Sequence, residues 1–504
     1  MKKLILIFSL FSTLTFAQKI AKPNIVYILS DDLGIGDVSC YNSDSKIQTP
    51  NIDKLASRGV IFTDAHSSSS VCTPTRYGIL TGRYNWRTKL KSGVLFGYDI
   101  SLLDPKRQTV ASFLQTQGYY TGVVGKWHLG WDWANINAGK EKVDFSKPIQ
   151  NGPNTFGFDY SHCIIGSLDM NPYAYVENGI CTTIPVDTCA AEKGVQFYRA
   201  GMVAPDFKHE EVLPTFTQKA ISFINQKANK AKPFFLYFPL PAPHTPVLPT
   251  GDFKGKSQLS PYGDFVLMVD DVVKQVVMAL KTQGVYENTL IVFTSDNGFS
   301  PAGDLKAQLD KGHNPFMQLR GTKADIFEGG HRVPFIVAWD KEIKKAKTST
   351  QLMCSTDFFG TIAALFNQKL SDNTAEDSFS FLHEIQPQRT TKLKREAIVH
   401  HSIDGFFAIR KGDWKLIMCS HSGGWSNPKP DSEEAKKLPP IQLYNLTTDI
   451  GETQNVHDKH PEMVKELTDL LTQYVKNGRS TLGASQPNDG NPYWKQLTWI
   501  PEAK

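Results

Sequence analysis

Apolar positions along the chain fall into a pattern that repeats. Residues 23–29, P-N-I-V-Y-I-L, form a run that stops abruptly at Ser30-Asp31-Asp32. An unbroken apolar, β-branched run with polar groups at its end predicts a buried parallel strand. The pattern returns at residues 289–294, T-L-I-V-F-T, which lead into Ser295-Asp296-Asn297-Gly298. Between the two, helical and extended signals alternate: residues 110–117 predict a helix, Gly118 breaks it, and residues 120–124 predict a strand. Val269, Val272, Val273, Val276 and Leu280 recur at helical spacing, and Gly284 is placed to end that helix before the strand leading to Asp296.

This alternation predicts an α/β core, a doubly wound, mostly parallel central sheet with helices on both faces. Ligands of such sheets sit outside the carboxyl ends of the strands, so the two acidic strand ends are expected to converge on one site. Residues 131–210, rich in Gly, Pro and Asn, predict an insertion that walls it. Beyond about residue 380 the pattern shortens. Residues 397–399, 406–410, 414–418 and 441–444 predict short strands and residues 461–475 an amphipathic helix. Together they form a small C-terminal α+β subdomain with an antiparallel sheet. The expected units are a core domain over residues 18–385 and this subdomain over residues 386–504, a division that a chain of 504 residues accommodates.

The first seventeen residues stand apart. Lys2 and Lys3 precede an apolar stretch at residues 4–14, and Thr15-Phe16-Ala17 offers small residues for cleavage, so residues 1–17 predict a signal peptide and a periplasmic or secreted protein. No Cys directly follows Ala17 and no later apolar run is long enough to span a bilayer, so no membrane anchor is expected. The net charge of +5 is spread along the chain, and its lysine-rich stretches at residues 227–232 and 341–347 read as solvated faces. That excludes a nucleic-acid track and suits an anionic substrate. Seven cysteines, an odd number, leave at least one unpaired, with Cys181 and Cys189 close enough to predict a local disulfide.

Asp31, Asp32, Asp296 and Asn297 supply hard oxygen ligands with no soft His or Cys pair at metal spacing, which selects calcium or magnesium. Their alternative role is as strand-end turn residues. The segment 67–83, S-S-S-S-V-C-T-P-T-R-Y-G-I-L-T-G-R, sets Pro74 in the first turn of a helix with Thr73 as its N-cap. Cys72 then lies just before a helix N-terminus, where backbone N–H groups and the helix dipole hold anions, with Arg76 one turn in. A cysteine there is either a thiolate nucleophile or a small buried packing residue.

Cys72-Thr73-Pro74-Thr75-Arg76 followed by residues 77–83 resembles the signature of the formylglycine-dependent type I sulfatases. S-D-D-L-G from Ser30, T-P-N-I-D from Thr49, G-K-W-H-L-G from Gly125, P-H-T-P from Pro243, S-D-N-G from Ser295 and G-T-K from Gly321 follow in that family's order. The resemblance implies an alkaline-phosphatase-like fold. It implies that a maturation enzyme oxidises Cys72 to formylglycine, present as a geminal diol. One hydroxyl then attacks sulfur, and the other is deprotonated and collapses to the aldehyde as sulfate leaves. It further implies that Asp31, Asp32, Cys72, Asp296 and Asn297 hold calcium and that Arg76 orients the diol. Lys126 and Lys323 would grip the sulfate oxygens, His128 assist the collapse, and His244 protonate the leaving alcohol.

Residues 131–133, W-D-W, and 167–170, S-L-D-M, with Pro172-Tyr173, are similar to the bacterial galactose and N-acetylgalactosamine 6-O-sulfatases. That implies exo-acting removal of a 6-O-sulfate from a galacto-configured residue of a sulfated polysaccharide or glycosaminoglycan. Asp169 would bind a sugar hydroxyl, and Trp131, Tyr173 or Trp425 would stack on a ring. The alternatives are a sulfatase for another sugar position, a phosphonate monoester or phosphodiester hydrolase of the same superfamily, and a non-catalytic carbohydrate-binding protein. Intact Cys72, His128 and His244 speak against the last.

Overall fold

The computed structural model describes residues 22–228, 231–389 and 394–501; the expected signal peptide at residues 1–17 lies outside them. The apolar run at Asn24–Ser30 is the middle of a ten-stranded mixed sheet. It pairs in parallel with Thr289–Ser295 on one side and with Phe234–Pro239 on the other. Tyr120–Lys126 and Tyr160–Ile164 continue the parallel run. The flanks change direction. Phe335–Ala338 and Gly59–Phe62 add antiparallel pairings on one side, with Lys347–Ser349 at that edge, and Val176–Glu177 and Ile180–Cys181 close the other.

Helices cover both faces, and the alternation of side chains shows it. Phe234 sets its ring edge-on against Phe223 of the helix Val212–Lys227, whereas its neighbour Phe235 meets Phe358 of the helix Asp357–Leu365. Successive strand residues point to opposite faces, so the two helices lie on opposite sides of the sheet. The long helix Pro261–Thr282 buries Val269, Val272, Val273, Val276 and Leu280, as their spacing predicts, and Gly284 follows its cap with a left-handed φ of 68°.

Ile398–His401, Phe407–Lys411, Trp414–Ile417 and Gln442–Asn445 form a separate antiparallel sheet, packed with the helix Pro461–Asn477. This sheet does not close its core alone. Tyr84, Trp86 and Cys354 from the larger unit pack among Phe407, Ile409 and Leu467, and the Trp86 ring meets Phe407 edge-on at 5.2 Å.

Three local expectations are corrected. The helix Cys72–Thr81 begins at Cys72 itself, with extended Val71 as its N-cap and no capping side chain. Thr73 is inside the first turn, and its hydroxyl accepts from the Leu95 N–H at 3.2 Å in place of capping. Cys181 and Cys189 are both free thiols: one is on an edge strand of the main sheet, the other on a separate two-stranded sheet with its sulfur against the Gly201 carbonyl. Trp131 and Tyr173 are fully buried, Trp131 edge-on to Trp133 and Tyr173 bonded to the Arg199 carbonyl, so neither offers a face to a sugar. No helix among the described residues is long and apolar enough to cross a membrane.

Candidate active site

Register brings the two acidic strand ends together. Ser30 stands opposite Ser295, so Asp31-Asp32 and Asp296-Asn297 leave adjacent strands at one level. The Asp296 N–H donates to the Ser30 carbonyl at 3.1 Å, and the Asp31 N–H to Ala242 at 2.9 Å. The latter bond ties in the loop that carries His244. Lys126 ends its own strand beside them, and Asp32 and His128 hold left-handed backbones, φ 67° and 55°. Such conformations are uncommon outside glycine and gather at functional sites.

Three carboxylates meet three cations in this buried space. Lys126 Nζ lies 2.6 Å from Asp31 Oδ2, and Lys323 Nζ donates to Asp32 Oδ2 at 2.8 Å. Arg76 reaches across from the first turns of its helix and donates twice to Asp296 Oδ2, at 3.0 and 2.7 Å, and once to the Lys126 carbonyl at 2.9 Å. The charges are unevenly shared. Burial opposes the charge on Asp31, yet Lys126, His244 and Arg76 hold its carboxyl far below the usual range. Burial and the neighbouring Asp31 push Asp296 up to about 7.

Cys72 faces the same space, and ligand atoms of Asp31, Cys72 and Asp296 lie within 4.8 Å of one another, as do those of Asp31, Asp32 and His244. Burial pushes the Cys72 thiol upward against the pull of Lys126 and Lys323. That opposes the thiolate reading of this cysteine, since nucleophilic thiolates need a depressed pKa. Asn297 gives its amide N–H groups to Asp32 Oδ1 and the Gly298 carbonyl, which leaves its own Oδ1 buried without a hydrogen-bond partner among the described residues. Asp31 Oδ1 is likewise unpartnered, and Arg76 Nη2 at 3.6 Å is too far for a hydrogen bond. Two buried oxygens without partners among clustered carboxylates fit a hard divalent cation.

The two histidines differ in how they are held. His128 gives Nε2 to the Leu95 carbonyl at 2.8 Å, leaving Nδ1 buried and free; burial, with Lys126 and Arg76, drives its pKa well below the ordinary value. His244 turns Nδ1 to the Thr245 carbonyl and Nε2 toward Asp32 Oδ2, 3.6 Å away. Burial and Lys323 lower its pKa too.

A cleft of about 790 Å³ opens onto Cys72, His244 and Lys323. Asp169 lines it, its carboxylate paired with Arg199 and its Oδ1 buried without a partner among the described residues. Trp425 lines it as well and is exposed. The irregular insertion over residues 131–210 supplies Lys193, Phe197 and Arg199 to its wall. Those residues, together with Phe96, were not singled out from sequence. They sit in segments without periodicity, where no spacing signals which side chains face a ligand.

Buried cations gathered beside one cysteine, each paired with a carboxylate at the carboxyl edge of a sheet of this order, suit a hydrolase of oxyanion esters. The Sulfatase family model matches residues 23–368. The chain belongs to the sulfatase family, and it is a sulfuric ester hydrolase. It is 35% identical to an N-acetylgalactosamine-6-O-sulfatase of Bacteroides thetaiotaomicron, over 90% of this chain and 93% of that one. Human arylsulfatase A is 31% identical over 92% of this chain and 90% of its own. A solved Bacteroides thetaiotaomicron structure, from work on the metabolism of multiple glycosaminoglycans, superposes with a TM-score of 0.78 at 34% identity. It covers 90% of this chain and 99% of that chain.

Proposed function

We propose that the protein removes a 6-O-sulfate from a terminal galactose or N-acetylgalactosamine residue of a sulfated glycan, using formylglycine made from Cys72. The observation that carries the reading is the placement of Cys72 at the first position of a buried helix, with Lys126, Lys323, His128 and His244 around it. The 35% identity to an N-acetylgalactosamine-6-O-sulfatase supports the choice of sugar and position.

Asp31, Asp32, Asp296 and Asn297 would hold calcium together with the modified residue 72. Bound there, the ion supplies positive charge for a sulfate oxygen, and the hydrated aldehyde supplies a hydroxyl nucleophile where the thiol now stands. Lys323, which lines the cleft, and Lys126, buried against Asp31, would supply two ammonium groups for the remaining sulfate oxygens, where their charge matters most as the S–O bond breaks. Arg76, locked on Asp296, fixes the side of the site from which residue 72 is presented. His128 commits Nε2–H to the Leu95 carbonyl, so Nδ1 is bare and accepts the proton that residue 72 gives up. His244 commits Nδ1–H to the Thr245 carbonyl, so it passes a proton from Nε2 to the departing sugar alcohol only as the imidazolium, the form that Asp32, 3.6 Å from Nε2, favours. Asp169, braced by Arg199, presents its unpartnered oxygen to a sugar hydroxyl.

The test compares sulfate release from galactose 6-sulfate, glucosamine 6-sulfate and N-acetylgalactosamine 4-sulfate by protein matured with a formylglycine-generating enzyme. Fastest release from the first supports the reading, and preference for either of the others overturns it. The peptide containing Cys72 is expected to be lighter by about 18 Da, sulfur exchanged for oxygen with loss of two hydrogens.

A further inference from the structure

The cleft is larger than one sugar needs, and its outer part has its own chemistry. Of the described aromatic side chains only Phe96, Phe197, Trp425 and Tyr493 are exposed, and the first three all line this cleft, at 50%, 37% and 44% exposure. Exposed aromatic area concentrated at one opening marks a binding surface. Arg199 lies between two of them, its guanidinium 5.6 Å from the Phe96 ring centre and 5.2 Å from that of Phe197. One of its terminal nitrogens holds Asp169, while the other has no hydrogen-bond partner among the described residues. Lys193 is exposed on the same wall and has no ion-pair or hydrogen-bond partner among the described residues. Asp304, the remaining acidic group of the cleft, is occupied in capping the Ala307 N–H.

We propose that Phe96, Phe197 and Trp425, with Arg199 and Lys193, form a second subsite that takes the sugar next to the reacting one, and that this neighbour is anionic. The inference rests on the functional reading above. Flat aromatic faces suit the C–H face of a pyranose ring, while two cations with unused donors suit a carboxylate or a sulfate on that ring. A neutral neighbour would leave Lys193 and the second terminal nitrogen of Arg199 unused.

The experiment measures binding calorimetrically to the Cys72→Ala protein, which cannot turn substrate over. Three disaccharides carry terminal galactose 6-sulfate joined to a uronic acid, to a second sulfated galactose, or to unmodified galactose. At low salt an anionic neighbour is expected to tighten binding about fivefold, as a half-exposed ion pair returns. Adding Lys193→Ala should remove most of that preference, and adding Phe197→Ala should weaken all three ligands together. Preference for only the uronic acid or only the second sulfate supports the subsite and identifies its anion. Equal affinities, or a preference indifferent to Lys193→Ala, overturn it. If matured enzyme releases no sulfate from galactose 6-sulfate yet the Lys193-dependent preference persists, the reaction assigned above falls and the subsite stands.

Discussion

Arg76 shows how much of this site hangs on single groups. It is fully buried, and removing its guanidinium would leave the Asp296 carboxyl and the Lys126 carbonyl without their donors in the interior. Breaking a buried pair from one side costs about 3–5 kcal/mol. Arg76→Met is therefore expected to lower the unfolding free energy by that amount in chemical denaturation. Arg76→Lys also loses activity, because a point charge cannot span Asp296 and the Lys126 carbonyl together. Asn297 allows a second test at this scale. Chelation should lower the melting temperature of the native protein, and Asn297→Ala should shrink that chelator-induced shift when both are followed by calorimetry. A shift of unchanged size would remove Asn297 from the ion's ligands. These residues were legible in the sequence because each lies in a short segment whose neighbours fix its position: a strand end, or the start of a helix. Asp169 was legible in part. It lines the cleft, but the arginine that braces it comes from an irregular segment with no pattern to read.

Strands and helices carried the clearest signals, and the joints between them the weakest. The apolar runs ending at Ser30 and Ser295 pair with each other in parallel and are buried on both faces, which makes their composition uniform and easy to recognise. The joint between the C-terminal sheet and the core had no such signal, and it is built from histidines. His66 Nε2 meets Asp64 at 2.9 Å, its Nδ1 meets His331 Nδ1 at 3.0 Å, and Lys415 donates to His331 Nε2 at 3.1 Å. His400 stacks on His331 with ring centres 3.7 Å apart. Burial pushes His66, His331 and His400 below the ordinary histidine value, and burial with Lys91 takes His401 to about 3. A depressed folded pKa means that the unfolded chain binds more protons below about pH 6.5, so stability falls as pH drops through that value. Glu452 and Asp296, both raised by burial to about 7, work in the opposite direction, two groups against these four histidines and the likewise depressed His128 and His244. Guanidinium unfolding at pH 7.5 and at pH 5.5 should therefore give a lower midpoint at the acid end. His400→Phe, which keeps the stacked ring, should make the fall shallower, and a midpoint that rises on acidification would refute the account.

At the scale of the molecule, the C-terminal sheet belongs to the catalytic unit. Ser70 donates its N–H to the His401 carbonyl at 3.0 Å and Ile403 donates to Ala324 at 3.0 Å, so the loop before Cys72 and the segment after Lys323 are both stitched to the sheet. A chain ending before Ile398 is expected to lose sulfate release and cooperative unfolding together; an active truncated protein would refute that dependence. Trp86→Ala tests the same joint more gently, at a cost of about 3–5 kcal/mol read from denaturation. Apolar periodicity alone separates the two units, because it records which residues are buried and not what they are buried against. Cys72 is only 2% exposed, and every residue of its helix is buried. A modifying enzyme has nothing to grip on the finished molecule, so on the proposed chemistry the cysteine is altered while the chain is still open. Folding and maturation are then rivals in time, and a molecule that closes first keeps its thiol permanently. Two preparations of equal purity and equal melting temperature could differ severalfold in turnover, and the mass of one peptide would record how the race was run.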